Sequence, residues 1–175
     1  MSLIKTTPPE QAEGKLAELY ASAEQFFGFI PNNVRLLGVS PTILDNQFSM
    51  VEYYMSHKTL KTPLLAGIRM MVSKRCRSEY CENANTQMLI RMGVPKEKVE
   101  ACKADPQQAP FSDNEKAMLG FVLKAVEDPK SVTAQDVEAL KTMGWTDQDI
   151  FDAVAHGARM VGTNIIFDTF KIDRD

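Results

Sequence analysis

The sequence predicts an all-α single domain of about eight short helices. Three observations lead there. Apolar residues recur every three to four positions, segments open on Pro or a capping residue and close on Gly or Asn, and no stretch alternates like a half-buried strand. A chain of 175 residues is the length of one domain, able to bury about 70% of the surface its unfolded form exposes.

Thr7, followed by Pro8, Pro9 and Glu10, reads as a capping box with proline in the first turn. The helix it opens carries Leu16, Leu19, Tyr20, Ala23 and Phe27 on one stripe and stops at Gly28. Pro31 starts a short piece bearing Val34, Leu36 and Leu37, and Ser40 with Pro41 starts the next, whose expected inner face is Leu44, Phe48, Val51 and Met55. Thr62 and Pro63 open LLAGIRMMVSK, with Leu64, Ile68 and Met71 at helical spacing. A break near Cys76 to Ser78 precedes a helix that Ser78 caps and Gly93 ends. Pro95 opens a short helix through Val99 and Cys102, and ADPQQAP follows as a loop. Ser112 with Glu115 makes a second capping box, for a helix carrying Leu119, Val122, Leu123 and Val126. Thr133 and Thr146 cap the last two helices. The final one bears Ile150, Phe151, Val154, Ala158, Val161, Ile165 and Ile166, a stripe of period near 3.6.

Composition excludes several classes. With 44% apolar and 25% charged residues the chain is globular, not disordered. Twenty basic against twenty-three acidic residues, net −3, argue against nucleic-acid binding. No apolar run has the length of a signal peptide or a membrane span, so a cytoplasmic protein with no membrane partner is expected. Phosphate-loop, dinucleotide, zinc and calcium signatures are missing, so no cofactor or metal is expected. His57 and His156 are far apart in sequence and read as surface or helix-packing residues.

Three cysteines, an odd number, suit reduced thiols. In SKRCRSEYCENANTQ, a helix capped by Ser78 makes Cys81 its third residue, where unpaired N–H groups and the positive end of the helix dipole favour a thiolate. Lys74, Arg75 and Arg77 add positive charge, while Glu79 and Glu82 oppose it. Asn85, one turn later, is able to hydrogen-bond the sulfur but not to take up its proton. Two readings stay open for Cys81: a reactive thiol, or a small apolar group packed against a neighbouring helix. Pairing Cys76 with Cys81 requires a bend between them, because residues five apart in a helix lie roughly 8 to 9 Å apart, beyond the approximately 7 Å limit for a disulfide. Cys102 reads as structural.

Taken in order, GFIPNN, SP with an apolar helix, TPLLAGIRMMVSKRCRSEYCENANTQMLIRMG and SVTAQDVEALKTMGWTDQDIFDAVAHGARMVGTNIIFD resemble the carboxymuconolactone decarboxylase and AhpD-like superfamily, above all its peroxidase-related branch. The resemblance runs from about Leu16 to Phe170. It implies an AhpD-like helical bundle that assembles as a dimer, trimer or hexamer, and peroxidase activity in antioxidant defence. It also implies a peroxide as small-molecule substrate and a thiol reductant as partner. The family's catalytic pattern is Glu-x11-Cys-x2-Cys-x3-His. With Cys81 on the second cysteine, Ala66 stands at the glutamate, Ser78 at the first cysteine and Asn85 at the histidine. Cys76 becomes a relocated resolving thiol, and Cys81, Cys76, Ser78 and Asn85 are the candidate site.

Three functions are compatible with this pattern. The leading one is a thiol peroxidase working through Cys81, alone or resolved by Cys76. The alternative is a catalytically silent member serving as a binding or scaffold protein. Lactone decarboxylation, using His156, Asn164 and Asp168 on the last helix, ranks behind both. Phe26, Phe27, Phe29 and Ile30 are either an oligomer surface or core.

Overall fold

The computed structural model describes residues 2–175. Its helices are α1 (Gly14–Phe27), α2 (Asn32–Leu37), α3 (Pro41–Met55), α4 (Thr62–Arg75), α5 (Glu79–Arg91), α6 (Lys96–Ala104), α7 (Asp113–Glu127), α8 (Ala134–Thr142) and α9 (Asp147–Thr169), with three short 3-10 turns and no strand among the described residues. No helix among them is long and apolar enough to cross a membrane. They group into two compact units, one holding the chain up to Ser56 with Ile165–Asp175, the other His57–Asn164.

In the first unit, Leu16, Leu19, Tyr20 and Ala23 of α1 close on Val34 of α2 and Leu44 of α3, with Ile30, Leu37 and Phe48 partly buried around them. The chain end is tied in by polar contacts. Asn32 donates its backbone N–H to Asp175 Oδ1 at 2.6 Å and its side-chain amide to the Asp173 and Arg174 carbonyls. Three expectations are corrected here. The capping box at Thr7 forms no helix: Pro9 holds Pro8 extended, only the 3-10 turn Pro9–Gln11 follows, and α1 begins at Gly14, whose φ is +54°. The Thr7 carbonyl instead accepts from the Tyr20 hydroxyl at 3.1 Å. On α3, Val51 and Met55 are exposed, while Leu44 and Tyr54 are buried. Phe27, placed on the inner stripe of α1, is exposed, as are Phe26 and Phe29.

The second unit is built on α4, which is buried almost continuously from Leu64 to Ser73 and carries helices around it. Capping boxes form at Ser112–Glu115 and Thr133–Asp136, the first as expected and the second completing the Thr133 cap. A third closes at the start of α9, where Thr146 donates its N–H and hydroxyl to Asp149. The polar run ADPQQAP contains a 3-10 turn, Pro106–Gln108.

The buried face of α9 is not the stripe the sequence suggests. Ile150, Ala153, Gly157, Met160, Asn164 and Phe167 are buried, alternating steps of three and four, and Phe151 and Ile165 point outward. Gly157 explains the choice. A Cβ there would meet Val122 Cγ1 at 2.6 Å and Val126 Cγ2 at 3.3 Å, so only glycine lets α9 approach α7 this closely. Gly157→Ala is expected to destabilise the protein by about 1–2 kcal/mol, overpacking outweighing the helix-propensity gain. Gly120→Ala on α7, where a Cβ meets nothing within 4 Å, stabilises by up to about 1 kcal/mol. Urea midpoints of the two variants check the opposite signs.

Candidate active site around Cys81

The α4–α5 corner is made by Cys76, Arg77 and Ser78. Cys76 ends α4, Arg77 turns the chain with φ +59°, in the left-handed region usually left to glycine, and the Ser78 N–H closes on the Ser73 carbonyl at 2.9 Å. Ser78 is the N-cap residue of α5 and is fully buried. Cys81 is therefore the third residue of α5, and it is 3% exposed. Cys76 is half-buried, and no cysteine among the described residues is in a disulfide.

A charged residue in the middle of α4 organises the space beside Cys81. Arg69 donates from Nε to Asn85 Oδ1 at 2.6 Å, from one terminal nitrogen to His156 Nε2 at 3.1 Å, and from the other to Met88 Sδ at 3.0 Å. One guanidinium thus joins α4, α5 and α9. Asn85 in turn donates to the Cys81 carbonyl at 2.8 Å. Burial lowers the Arg69 pKa to about 10, and the charge of Cys81 opposes that fall, so at neutral pH the group stays a cation. Because a Coulomb interaction acts equally on both partners, Arg69 favours the thiolate of Cys81. The start of α5 adds the positive end of its dipole to the same atom.

His156 is the third member. Burial pushes its pKa down to about 3, helped by the Arg69 cation, while a hydrogen bond to the Leu65 backbone works the other way. The ring is neutral, with Nδ1–H held by that carbonyl and Nε2 left to accept from Arg69. Unfolded, a histidine titrates near 6.5, so between about 6.5 and 3 the unfolded chain takes up a proton that the folded chain refuses. Stability from this residue is intact above about pH 6.5 and falls toward acid by up to about 1.4 kcal/mol per pH unit. Urea unfolding at pH 7 and pH 4 checks it: the loss should be smaller in His156→Gln than in the parent.

Two of the positive charges expected to support a thiolate are engaged elsewhere. Arg75 pairs with Glu127, and Lys74 donates to the Lys103 carbonyl. Glu82, expected to oppose a thiolate, is bridged by Lys103 at 3.4 Å. Cys102 is buried, and burial with Asp105 nearby pushes its thiol up to about 11, as suits a structural residue. His57 packs rather than lying on the surface, its Nε2 3.2 Å from Asp152 and its Nδ1 accepting the Leu60 N–H at 3.1 Å. Of the decarboxylase set, Asn164 is buried and accepts from Ser73 at 3.3 Å, while Asp168 is exposed. A groove of about 360 Å³ lined by Arg75, Asp105, Lys124 and Glu127 includes neither Cys81 nor Arg69. Among the described residues no cluster of three His, Cys, Asp or Glu side chains is placed to hold a metal.

Sequence reasoning missed Arg69 and the role of His156 beside it. The available signal was that Arg69 is the only charged residue in PLLAGIRMMV, a run apolar enough to be buried on all sides, where a charge requires partners.

No protein-family model and no curated protein matches the sequence. Solved structures do. A peroxidase-related protein from Ralstonia eutropha, described as an alkylhydroperoxidase AhpD core, superposes with a TM-score of 0.89 at 22% identity, over 99% of this chain and 92% of that one. The chain has the AhpD-like fold. A peroxidase-related protein from Silicibacter shares that fold at a TM-score of 0.84 and 18% identity, over 99% of this chain and 95% of that one. A cysteine-to-alanine variant of the debrominase Bmp8, in complex with 2,3,4-tribromopyrrole, follows at 0.78 and 19%, over 100% and 92%. Within the AhpD-like fold, this chain sets its polar centre on Arg69, one turn beyond the buried Ala66.

Proposed function

We propose that the chain is a one-cysteine thiol peroxidase in which Cys81 is the nucleophile. The observation that supports this best is the placement of Cys81 at the third position of α5 beside the Arg69 cation. The thiolate sulfur attacks the distal oxygen of a hydroperoxide; the O–O bond breaks, the sulfur becomes a sulfenic acid, and the alkoxide leaves and takes a proton from water. An external thiol then condenses with the sulfenic acid, releasing water and forming a mixed disulfide. A second thiol reduces that disulfide and returns the Cys81 thiol. Ser78 and Asn85 provide neither a second sulfur nor a proton relay, which is why the thiol that resolves the sulfenic acid comes from outside. The burial of Cys81 favours small, compact peroxides.

Beyond its contacts to Asn85, His156 and Met88, the guanidinium has two N–H groups left. They suit the oxygen that gains negative charge as the O–O bond breaks.

The test is peroxide consumption by the wild-type and Cys76→Ser proteins with dithiothreitol as reductant. Equal turnover by both is the expected result. Turnover that requires Cys76 replaces the one-cysteine cycle with a resolved one. No turnover by either favours the silent binding protein, and consumption of a brominated pyrrole in place of peroxide favours dehalogenation by the same thiol.

A further inference from the structure

The charge of Arg69 is balanced in only one state of the Cys81 sulfur. Cys81, Asn85 and Met88 stand at i, i+4 and i+7 on one face of α5, and Arg69 lies along that face through its bonds to Asn85 Oδ1 and Met88 Sδ. Its three acceptors, a carboxamide oxygen, an imidazole nitrogen and a thioether sulfur, carry no charge. Among the described residues the charge acting on it in return is that of Cys81. His156 is held neutral, and Arg159 adds a second positive charge near it. Arg69 with Cys81 is therefore neutral when the sulfur is a thiolate, and a net cation when the sulfur is a thiol, a sulfenic acid or a mixed disulfide. A desolvated cation without a countercharge draws an anion to itself.

One edge of the guanidinium suits that anion. The terminal nitrogen toward Met88 spends an N–H on a thioether at 3.0 Å, the weakest acceptor of the three, and keeps its other N–H. Asn85, His156 and Cys81 are buried, whereas Arg69 and Met88 are partly exposed, so solvent reaches the cation from the Met88 side. A carboxylate entering there replaces the sulfur as acceptor and takes up the remaining N–H, the charge-assisted fork for which a guanidinium is shaped.

We propose that the Met88 edge of Arg69 is a subsite for a monovalent carboxylate, open while the Cys81 sulfur is neutral, and that it selects a carboxylate-bearing thiol as the reductant. The choice of a thiol rests on the peroxidase reading; the carboxylate subsite does not. In the reduced protein the thiolate neutralises Arg69, and an uncharged peroxide enters. Once the sulfenic acid has formed the site is a cation, and a thiol whose carboxylate pairs with Arg69 follows. The reductant's sulfur is oxidised and that of Cys81 reduced as the S–S bond forms and hydroxide leaves the sulfenic acid, to be protonated by solvent.

Formate is the probe for the subsite. In chloride-free buffer, calorimetric titration should show saturable formate binding to Cys81→Ser, whose hydroxyl is neutral like the oxidised sulfur. Met88→Glu in the same background lays a carboxylate of its own on the guanidinium and should abolish that binding. Arg69→Lys, again with Cys81→Ser, keeps the charge without the fork and should weaken it at least about tenfold, a readout that stands even if the Glu variant does not fold. No saturable binding to folded Cys81→Ser overturns the subsite, and so does undiminished binding by either double variant. For the reductant, wild-type protein oxidised by stoichiometric hydrogen peroxide is mixed with 3-mercaptopropionate, 2-mercaptoethanol or cysteamine at equal thiolate concentration, and the surviving sulfenic acid is trapped with dimedone. The anionic thiol should consume it at least about tenfold faster than the cationic one, with the neutral thiol between. Equal rates for the three overturn the selection. A protein that forms no sulfenic acid loses the peroxidase reading, and formate binding then decides the subsite by itself.

Discussion

Cys81→Ser is expected to reduce thiol-dependent peroxide consumption by at least about 10³-fold, to the rate of the reductant alone, because Cys81 is the sulfur the proposed cycle oxidises and Cys76 at most resolves it. The same variant should lose the sulfenic-acid adduct that dimedone traps on the wild-type protein. Cys102 provides the internal control: with its thiol held near 11 by burial, it stays unlabelled in both proteins. The substitution puts a hydroxyl where a buried sulfur packed, so a stability cost of about 1–2 kcal/mol is expected. Comparing activity at temperatures where both proteins are fully folded separates the two effects. A variant that retains peroxide turnover would remove Cys81 from the mechanism.

Arg69→Met is the second large effect, and it acts on stability and reactivity together. Removing the guanidinium leaves Asn85 Oδ1 and His156 Nε2 without their donor, and breaking a buried charged network by one partner costs about 3–5 kcal/mol. It also removes the cation that favours the Cys81 thiolate. Alkylation of Cys81 by iodoacetamide at pH 7 should therefore be slower than in the wild-type protein. Arg69→Lys separates the roles. It keeps a positive charge, so it should recover much of the alkylation rate. It lacks the planar fork that reaches Asn85, Met88 and His156 at once, so it should recover little of the stability. Alkylation of Arg69→Met at the wild-type rate would show that Arg69 holds the structure without activating Cys81.

The sequence was most informative where local chemistry decides the outcome. Ser112 with Glu115 and Thr133 with Asp136 cap α7 and α8 through contacts made within one turn, and Ser78 stands at the N-cap position of α5 that the sequence suggests, which makes Cys81 the third residue of that helix. It misled where the neighbour decides. The Thr7 segment has the residues of a capping box, but two successive prolines keep it extended and its carbonyl serves Tyr20 instead. On α9 apolar periodicity picks Ile150, Phe151, Val154, Ala158, Val161, Ile165 and Ile166, and of these only Ile150 is on the buried face that runs through Gly157 and Asn164. Val122 selects that face, because only Gly157 fits against it. Arg69 and His156 escaped for the same reason. Eighty-seven residues separate them, and only the packing of α9 beside α4 makes them partners.

The Arg69 hub also couples positions far apart in the chain. Asn85 is held from both ends: its oxygen accepts from Arg69 while its nitrogen donates to the Cys81 carbonyl. Arg69 in turn is held by His156, so a substitution at any one of the three positions is felt at the other two.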